Sequence, residues 1–284
     1  MSRRSLRNGT RERQPCCAAY TSRVAQTTGD ELRLEIWRNP TDRQLLSVYA
    51  DWLTAEGDGP RAEFMQLSLL AKPTPLQQKR LVALRNKHRG AWLGAARPFI
   101  WTWEEDEDSP GFVRKCQCQM AKLTKGFEQI RSLGPRLVVA VTAPKAKREV
   151  DALAKLPLGT LWGLAMYEAD AQWITDELMT KLAPKFRGLR ELVLHVNEMR
   201  ASERGWGVVL EHLETVEHLD LTMGDDPERW LEMLVEKKLS LQTLSVPGWI
   251  SKPIKARLTK AFPDVEFRSG ERRLRYDREL GYYV

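Results

Sequence analysis

The chain has 284 residues, ten tryptophans and a formal net charge of +7, which is enough for one or two domains with a buried core. It contains no run of 18 apolar residues, so the sequence predicts no membrane-spanning helix. The first thirty residues carry several arginines but no apolar segment. We therefore expect neither a signal peptide nor a lipid anchor at Cys16 or Cys17.

Charge is distributed unevenly along the chain. Residues 151–250 hold 10 Lys and Arg against 17 Asp and Glu, whereas the last 34 residues hold 9 against 5. An isoelectric point near 9.3 is typical of nucleic-acid-binding proteins. The acidic central region makes that function less favourable for the body of the chain and leaves it open for the ends.

Residues 1–29 are rich in Arg, Thr and Ser and show no periodic apolar pattern. This composition predicts a disordered basic arm, although a start codon assigned too far upstream would give the same pattern. A basic arm could contact phosphates. A solvated tail is the simpler interpretation.

The first strong structural pattern is a helical hairpin. Apolar residues within 45–53 recur at the spacing of one helical face. Thr41 and Gln44 fit a capping box at the start of this helix. Gly57 suits a left-handed C-cap, and Asp58 or the glycine after it suits the N-cap of a second helix. The short connection predicts two antiparallel helices.

The hairpin also carries a family resemblance. Val48-Tyr49-Ala50-Asp51-Trp52-Leu53, then Gly57-Asp58, then Arg61-Ala62-Glu63-Phe64 resembles the repeat-companion domain, a short bacterial module known mainly from myxobacterial and planctomycete proteins. The likeness covers about residues 31–95 and implies a helical module over 30–98. It also implies neighbouring repeats and attaches no enzymatic activity to the module. The expected structural residues of the hairpin are Tyr49, Asp51, Trp52, Arg61, Glu63 and Phe64.

Two interpretations exist for the charged residues of this hairpin. Asp51, Glu63 and Arg61 could form an acid–base site. Alternatively, Asp51 and Arg61 pair across the hairpin and close it. We favour the pair, because a turn between two helices offers no cleft in which a substrate would be desolvated.

A further helix is predicted from about Leu76 to His88, after a Pro-rich break. Its expected apolar positions are Leu76, Leu81, Val82 and Leu84. Its outer face is the strongest basic patch of the predicted folded region and comprises Lys79, Arg80, Arg85, Lys87, His88 and Arg89. Residues 79–89 are therefore a candidate nucleic-acid surface, with a solvated helix face as the alternative.

Internal repeats begin near residue 110. Leu189-x-x-Leu192-x-Leu194-x-x-Asn197 matches the leucine-rich-repeat pattern. Six further segments fit the same template, and the second apolar positions of the seven are 116, 139, 164, 192, 219, 244 and 265. Helices are expected between them at about 146–155, 172–183, 203–213, 227–238 and 252–262. The predicted fold is α/β, with a leucine-rich-repeat-like solenoid over 110–270 whose parallel sheet lines a concave face.

The cysteines fit this interpretation. Cys116 and Cys118 are two residues apart on a predicted strand, so they point to the same face and fill core positions. We expect no redox or metal role for them. Free thiols and the absence of zinc-type spacing favour a reducing cytoplasm.

Outward-facing residues of neighbouring strands should align in columns on the concave face. The candidate partner-binding residues are Glu191, Val193, His195, His218, Asp220, Thr222, Thr243 and Ser245. His195 and Asp220 should lie close together diagonally, which would also suit catalysis. No nucleophile with an oxyanion hole is evident beside them, so we predict no catalytic, cofactor or metal site.

The sequence thus favours a non-enzymatic, cytoplasmic bacterial scaffold that binds another protein through the concave face or the junction with the helical module. The alternative is a nucleic-acid-associated protein that uses the basic arm, helix 79–89 and the Arg-rich tail. That tail, residues 271–284, would serve as a cap over the last repeat or as a docking peptide. An enzyme based on Asp51 and Glu63, or on His195 and Asp220, is the third interpretation.

Overall fold

The computed structural model describes residues 29–142, 147–168, 175–196, 202–223, 227–237, 239–247, 250–270, 276–277 and 282–283. Within these ranges the chain forms ten α-helices and one eight-stranded, mostly parallel sheet, so the α/β class is confirmed. None of the helices in these ranges is both long enough and apolar enough to cross a membrane. The predicted basic arm and most of residues 271–284 lie outside the described residues.

Four helices form the N-terminal module: α1 (Gly29–Arg38), α2 (Arg43–Ala55), α3 (Gly59–Ser68) and α4 (Pro75–His88). The predicted hairpin corresponds to α2 and α3. Its turn contains Gly57 at a φ of 89°, a left-handed conformation that favours glycine. The module has its own apolar core, formed by Leu32, Ile36, Leu46, Tyr49, Ala50, Leu53, Ala62, Met65 and Phe112.

The cap at the start of α2 differs from the prediction. Asp42, rather than Thr41, is the N-cap, and its carboxylate accepts hydrogen bonds from the amides of Gln44 at 2.9 Å and Leu45 at 3.1 Å. A charged acceptor satisfies two amides that the helix leaves unpaired. Asp58 caps α3, as expected.

The predicted apolar face of α4 is wrong in part. Leu84 is buried, but Leu76 is 78% exposed and Val82 is 47% exposed. Among the helices, α4 packs mainly against α3, so only a narrow strip of its surface is covered. A short capping box, formed by Thr74 and Gln77, starts this helix.

A 3₁₀ segment (Ala91–Phe99) leads into the sheet. Strand β1 (Ile100–Glu105) runs antiparallel to β2 (Val113–Cys118) and forms one edge. The other strands follow in chain order and pair in parallel: β3 (Val138–Thr142), β4 (Gly163–Glu168), β5 (Glu191–Val196), β6 (His218–Met223), β7 (Thr243–Pro247) and β8 (Glu266–Gly270). The sheet is open, with β1 and β8 at its ends. Two further short strands, β9 (Tyr276–Asp277) and β10 (Tyr282–Tyr283), pair separately.

Each parallel step of the sheet is connected through a helix. These helices are α5 (Met120–Arg131), α6 (Lys147–Leu153), α7 (Asp176–Leu182), α8 (Glu203–Leu210), α9 (Pro227–Val235) and α10 (Lys252–Ala261). Short 3₁₀ turns lie at Leu158–Thr160 and Ala183–Lys185. Strand β1 and helix α5 were not predicted, whereas the five later helices were.

The strand register follows the predicted repeat positions. Cys116, Val139, Leu164, Leu192, Leu219, Leu244 and Phe267 occupy one row across the sheet. The last position corrects the expectation of Val265. Leu244 pairs with Phe267, because β8 begins two residues later than the apolar spacing suggested. The row belongs to the main core, to which the six connecting helices contribute.

Hydrogen bonds also link successive helices. The amide and hydroxyl of Ser202, at the start of α8, both donate to Asp176 of α7 at 2.6 Å. The amide and hydroxyl of Ser251, at the start of α10, donate to Glu228 of α9 at 2.6 and 3.0 Å. These hydrogen bonds with Ser202 lower the pKa of Asp176.

The loop between β1 and β2 attaches the helical module to the sheet. The guanidinium of Arg61 donates two hydrogen bonds to the carbonyl of Gly111, at 3.0 and 2.7 Å. Phe112 stacks on Tyr49 with the ring centroids 5.3 Å apart. Gly111 has a φ of 84°, and a Cβ there would lie 2.7 Å from Met65 Cγ. The expected pair of Asp51 with Arg61 is therefore wrong, because Arg61 is committed to this loop.

Candidate binding face

The face of the sheet opposite the main core is here called the outer face. Its centre is a small apolar cluster of Val138, Ala140, Ala165 and Val193, packed against Trp162 and Tyr167. Among the described residues, no helix contributes to this cluster. The outer face is therefore built by strand side chains and by the residue that precedes β4.

The predicted columns are present in the strand register. Glu191 lies opposite His218, which lies opposite Thr243. In the next column, Val193, Asp220 and Ser245 are adjacent in the same way. His195 lies opposite Thr222, whose side chain is outside the described part of the structure.

The diagonal contact between His195 and Asp220 is also present. His195 Nε2 lies 2.9 Å from Asp220 Oδ1, within ion-pair distance, although Nε2 makes no hydrogen bond of good geometry. The rings of Tyr167 and His195 pack edge to face, with their centroids 5.2 Å apart. Lys115 Nζ lies 5.8 Å from the centre of the Tyr167 ring. Lys115, Tyr167, His195 and Asp220 thus form a continuous polar and aromatic row from β2 to β6.

Electrostatics within this row favour neutral Tyr167. Burial raises the pKa of its hydroxyl, and the nearby Lys115 ammonium opposes the rise. The phenol therefore stays protonated and can donate or accept a hydrogen bond. It is not a prepared base, since a base needs a pKa near the working pH.

A second polar group lies beside this row. Arg114 pairs with Glu191 at 2.6 Å, and the same guanidinium donates to the carbonyl of Arg136. His218 Nδ1 lies 3.0 Å from the Thr243 hydroxyl. Burial lowers the pKa of His218, so the neutral imidazole is favoured.

The outer face differs from the prediction in two respects. Val193 is only 8% exposed, so it supports the apolar cluster and offers little surface to a partner. Tyr167, Lys115 and Arg114 were not among the predicted residues. Tyr167 lies in the same strand position as His195, so extending the column to β4 would have identified it.

The hairpin residues have structural contacts. Tyr49 is fully buried, stacks on Trp52 and accepts a hydrogen bond from Arg33 at 3.0 Å. Asp51 accepts one from Gln66, also at 3.0 Å, across the hairpin. These contacts connect the helices of the module to one another.

The remaining hairpin residues contact α4 and the segment after it. Glu63 receives two hydrogen bonds from Arg80, at 2.8 and 2.7 Å. Phe64 packs on Trp92 at 4.8 Å, with the Arg85 guanidinium 5.5 Å from its ring.

The basic face of α4 is partly engaged within the protein. Besides the pairing of Arg80 with Glu63, Arg85 pairs with Glu105 at 2.8 Å. The guanidinium of Arg89 lies 4.5 Å from the centre of the Trp103 ring. These contacts compete with any phosphate for the three arginines.

Cys116 and Cys118 are buried in the main core with free thiols. Burial raises the pKa of Cys116 well above its usual value and that of Cys118 to about 12. Both thiols are therefore protonated and poor ligands for a metal. Within the described residues, no group of three or more His, Cys, Asp and Glu side chains could hold a metal ion.

Comparison of the chain with protein-family models, curated proteins and solved structures gives no match in any of the three.

Proposed function

We propose that this protein is a non-enzymatic interaction scaffold that binds another protein through the outer face of the sheet. In this proposal the N-terminal helices are a repeat-companion module. Strands β2–β8 and their helices are a short leucine-rich-repeat-like solenoid. The equal register of Leu164, Leu192, Leu219 and Leu244 in consecutive strands supports the repeat interpretation.

The observation that carries the proposal is the row formed by Lys115, Tyr167, His195 and Asp220. Its members come from four different strands and contact one another through ring and charge interactions. Repeat proteins bind partners through such extended surfaces. Aromatic side chains with polar tips are enriched where proteins bind each other.

Binding is favoured over catalysis because these groups are engaged with each other. The Arg114 guanidinium pairs with Glu191, and the His195 imidazole faces Asp220. Such pairs fix side-chain positions before a partner arrives, which reduces the entropy lost on association. They provide charge complementarity rather than an activated nucleophile.

The test is affinity capture from a lysate of the native host, with nuclease present and absent. The wild type is compared with Asp220→Ala on the outer face and with Lys255→Ala on the exposed surface of α10. We expect one stoichiometric protein partner with the wild type and with Lys255→Ala, and at least a tenfold loss with Asp220→Ala. Circular dichroism checks that both variants fold.

Two outcomes contradict the proposal. Equal recovery of the partner with Asp220→Ala and Lys255→Ala would show that the outer face does not bind it. Recovery that collapses with nuclease would favour the basic helix face and the arginine-rich ends, and such binding should fall steeply with salt.

A further inference from the structure

A groove lies between α3, α4 and the loop that follows β1. Its volume is about 340 Å³, which is within the range of about 300–1,000 Å³ usual for ligand sites. We name it the junction groove. Its apolar wall comprises Phe64, Leu67, Leu70, Pro73, Leu81 and Pro110.

The opposite wall of the junction groove is acidic. Glu105, Asp106 and Glu107 line it, and Arg85 is the only cation among its lining residues. One positive and three negative groups give the lining a formal charge of −2. Arg85 is already paired with Glu105 Oε2 and packed over Phe64, so its positive charge is largely compensated by Glu105.

Two carboxylate oxygens in this wall have no partner within the described residues. They are Glu105 Oε1 and Asp106 Oδ2, and both are shielded from solvent. Asp106 is only 2% exposed, and its other oxygen accepts the amides of Asp108 and Ser109. That same oxygen lies 3.8 Å from the guanidinium of Arg136, which also pairs with Asp108. Buried carboxylate oxygens normally accept hydrogen bonds, so these two oxygens lack donors, although the other oxygen of each carboxylate has a partner.

We propose that the junction groove binds a lysine or arginine side chain of a partner protein, flanked by an apolar residue of the same segment. The cationic head is placed against Glu105 and Asp106, and the apolar residue against the leucines of α3 and α4. Arg85, whose side chain is 45% exposed, is the movable part of the wall. A cation that displaces it from Glu105 takes its place against that carboxylate, beside Asp106 in the same wall.

The chemistry of the groove favours an organic cation over a metal ion. Groups of three or more metal-ligating side chains were not found in the described ranges. A bare metal ion makes no favourable contact with the apolar wall, whereas the aliphatic stem of Lys or Arg can pack against it. Leu70, at 41% exposure, leaves part of this wall open to solvent. The site is separate from the outer face, so it does not depend on the function proposed above.

The test uses n-butylguanidinium as the probe and neutral n-butylurea as its matched control. The full chain is labelled at its leucine methyl groups and titrated in the NMR spectrometer. We expect saturable shifts at Leu67, Leu70 and Leu81 with the cation and binding at least about tenfold weaker with the urea, because a charged hydrogen bond is lost.

Variants locate the binding to the two carboxylates. Asp106→Asn keeps the oxygen that accepts the loop amides, and Glu105→Gln keeps the side-chain length, so both should fold. Each substitution is expected to weaken the binding of n-butylguanidinium by at least about tenfold. Glu104→Gln is the control: it removes an exposed carboxylate of the same strand that is outside the junction groove, and it should leave binding unchanged.

A blocked Leu-Arg-Leu peptide tests whether the junction groove binds a protein segment. It should bind more tightly than n-butylguanidinium, since its leucines cover the apolar wall. Equal affinity would overturn a protein segment as the occupant. The proposal also fails if the urea binds as well as the cation, or if no saturable shift appears up to the solubility of the probe.

Discussion

Replacing Arg61 by alanine is expected to destabilise the protein, because this side chain joins the helical module to the loop between β1 and β2. The change removes both hydrogen bonds to the Gly111 carbonyl and the contact of the guanidinium with the Phe112 ring, 5.4 Å away. It also leaves that carbonyl without its donors. Arg61 therefore tests whether the module and the sheet stabilise each other.

The magnitude follows from these contacts. Hydrogen bonds to a charged group contribute about 1.5–3 kcal/mol, and a cation over an aromatic ring about 0.5–2 kcal/mol. Burial lowers the pKa of Arg61, which means that desolvation opposes its charged form and offsets part of this gain. We expect the free energy of unfolding to fall by about 2–4 kcal/mol in Arg61→Ala. The fall should be smaller in Arg61→Lys, because lysine keeps a cationic donor although it cannot make the paired bonds.

The assay is urea denaturation followed by tryptophan fluorescence and circular dichroism. Arg80→Ala is the control, because Arg80 also makes two hydrogen bonds but lies on the surface, where ion pairs contribute little. If the transition separates into two steps, the step that reports the helical module is compared. A loss in Arg61→Ala no larger than in Arg80→Ala would refute the attachment through Gly111.

Three further results are expected. Iodoacetamide should leave Cys116 and Cys118 unmodified in the folded protein and label them in urea. Mass spectrometry of a variant that lacks Cys16 and Cys17 would measure this labelling. Rapid labelling of the folded protein would contradict the burial of the two thiols. Trp206→Ala should lower the free energy of unfolding by about 3–5 kcal/mol in urea melts, because Trp206 is fully buried against Trp230; a near-neutral effect contradicts this packing. The folded state lowers the pKa of His218, so acidification below about pH 6.5 protonates the unfolded chain first and reduces stability. His218→Gln should weaken this loss as the pH falls below about 6.5, and an unchanged pH profile contradicts it.

The repeat register could be predicted because it depends on local spacing. Leu192, Leu219 and Leu244 recur at nearly constant intervals, and parallel strands of equal phase place such residues side by side. The same logic gave the contact between His195 and Asp220, one strand apart. Register errors arose only at β8, where the apolar pattern is short.

Other features could not be predicted because their causes are distant in the sequence. The partner of Arg61 is a backbone carbonyl 50 residues away, and a carbonyl has no sequence signature. Helix α5 is an exception: its buried residues Met120, Leu123, Phe127 and Ile130 recur at helical spacing, so the sequence did carry a signal for it. Strand β1 reads Ile-Trp-Thr-Trp-Glu-Glu, which begins with two adjacent apolar residues and ends with two adjacent glutamates, so it does not alternate throughout. Tertiary packing, not local preference, fixes this strand.

The hydrogen bonds between Ser202 and Asp176, and between Ser251 and Glu228, make the start of a later helix depend on the helix before it. In both cases a carboxylate near the start of one helix accepts hydrogen bonds from the serine at the start of the next. A helix that loses its successor loses only a donor to one carboxylate, whereas one that loses its predecessor loses the acceptor for the amide and hydroxyl of the serine at its start. Order should therefore extend from the N-terminal to the C-terminal end, and shortening the chain from its C-terminal end should be the milder change.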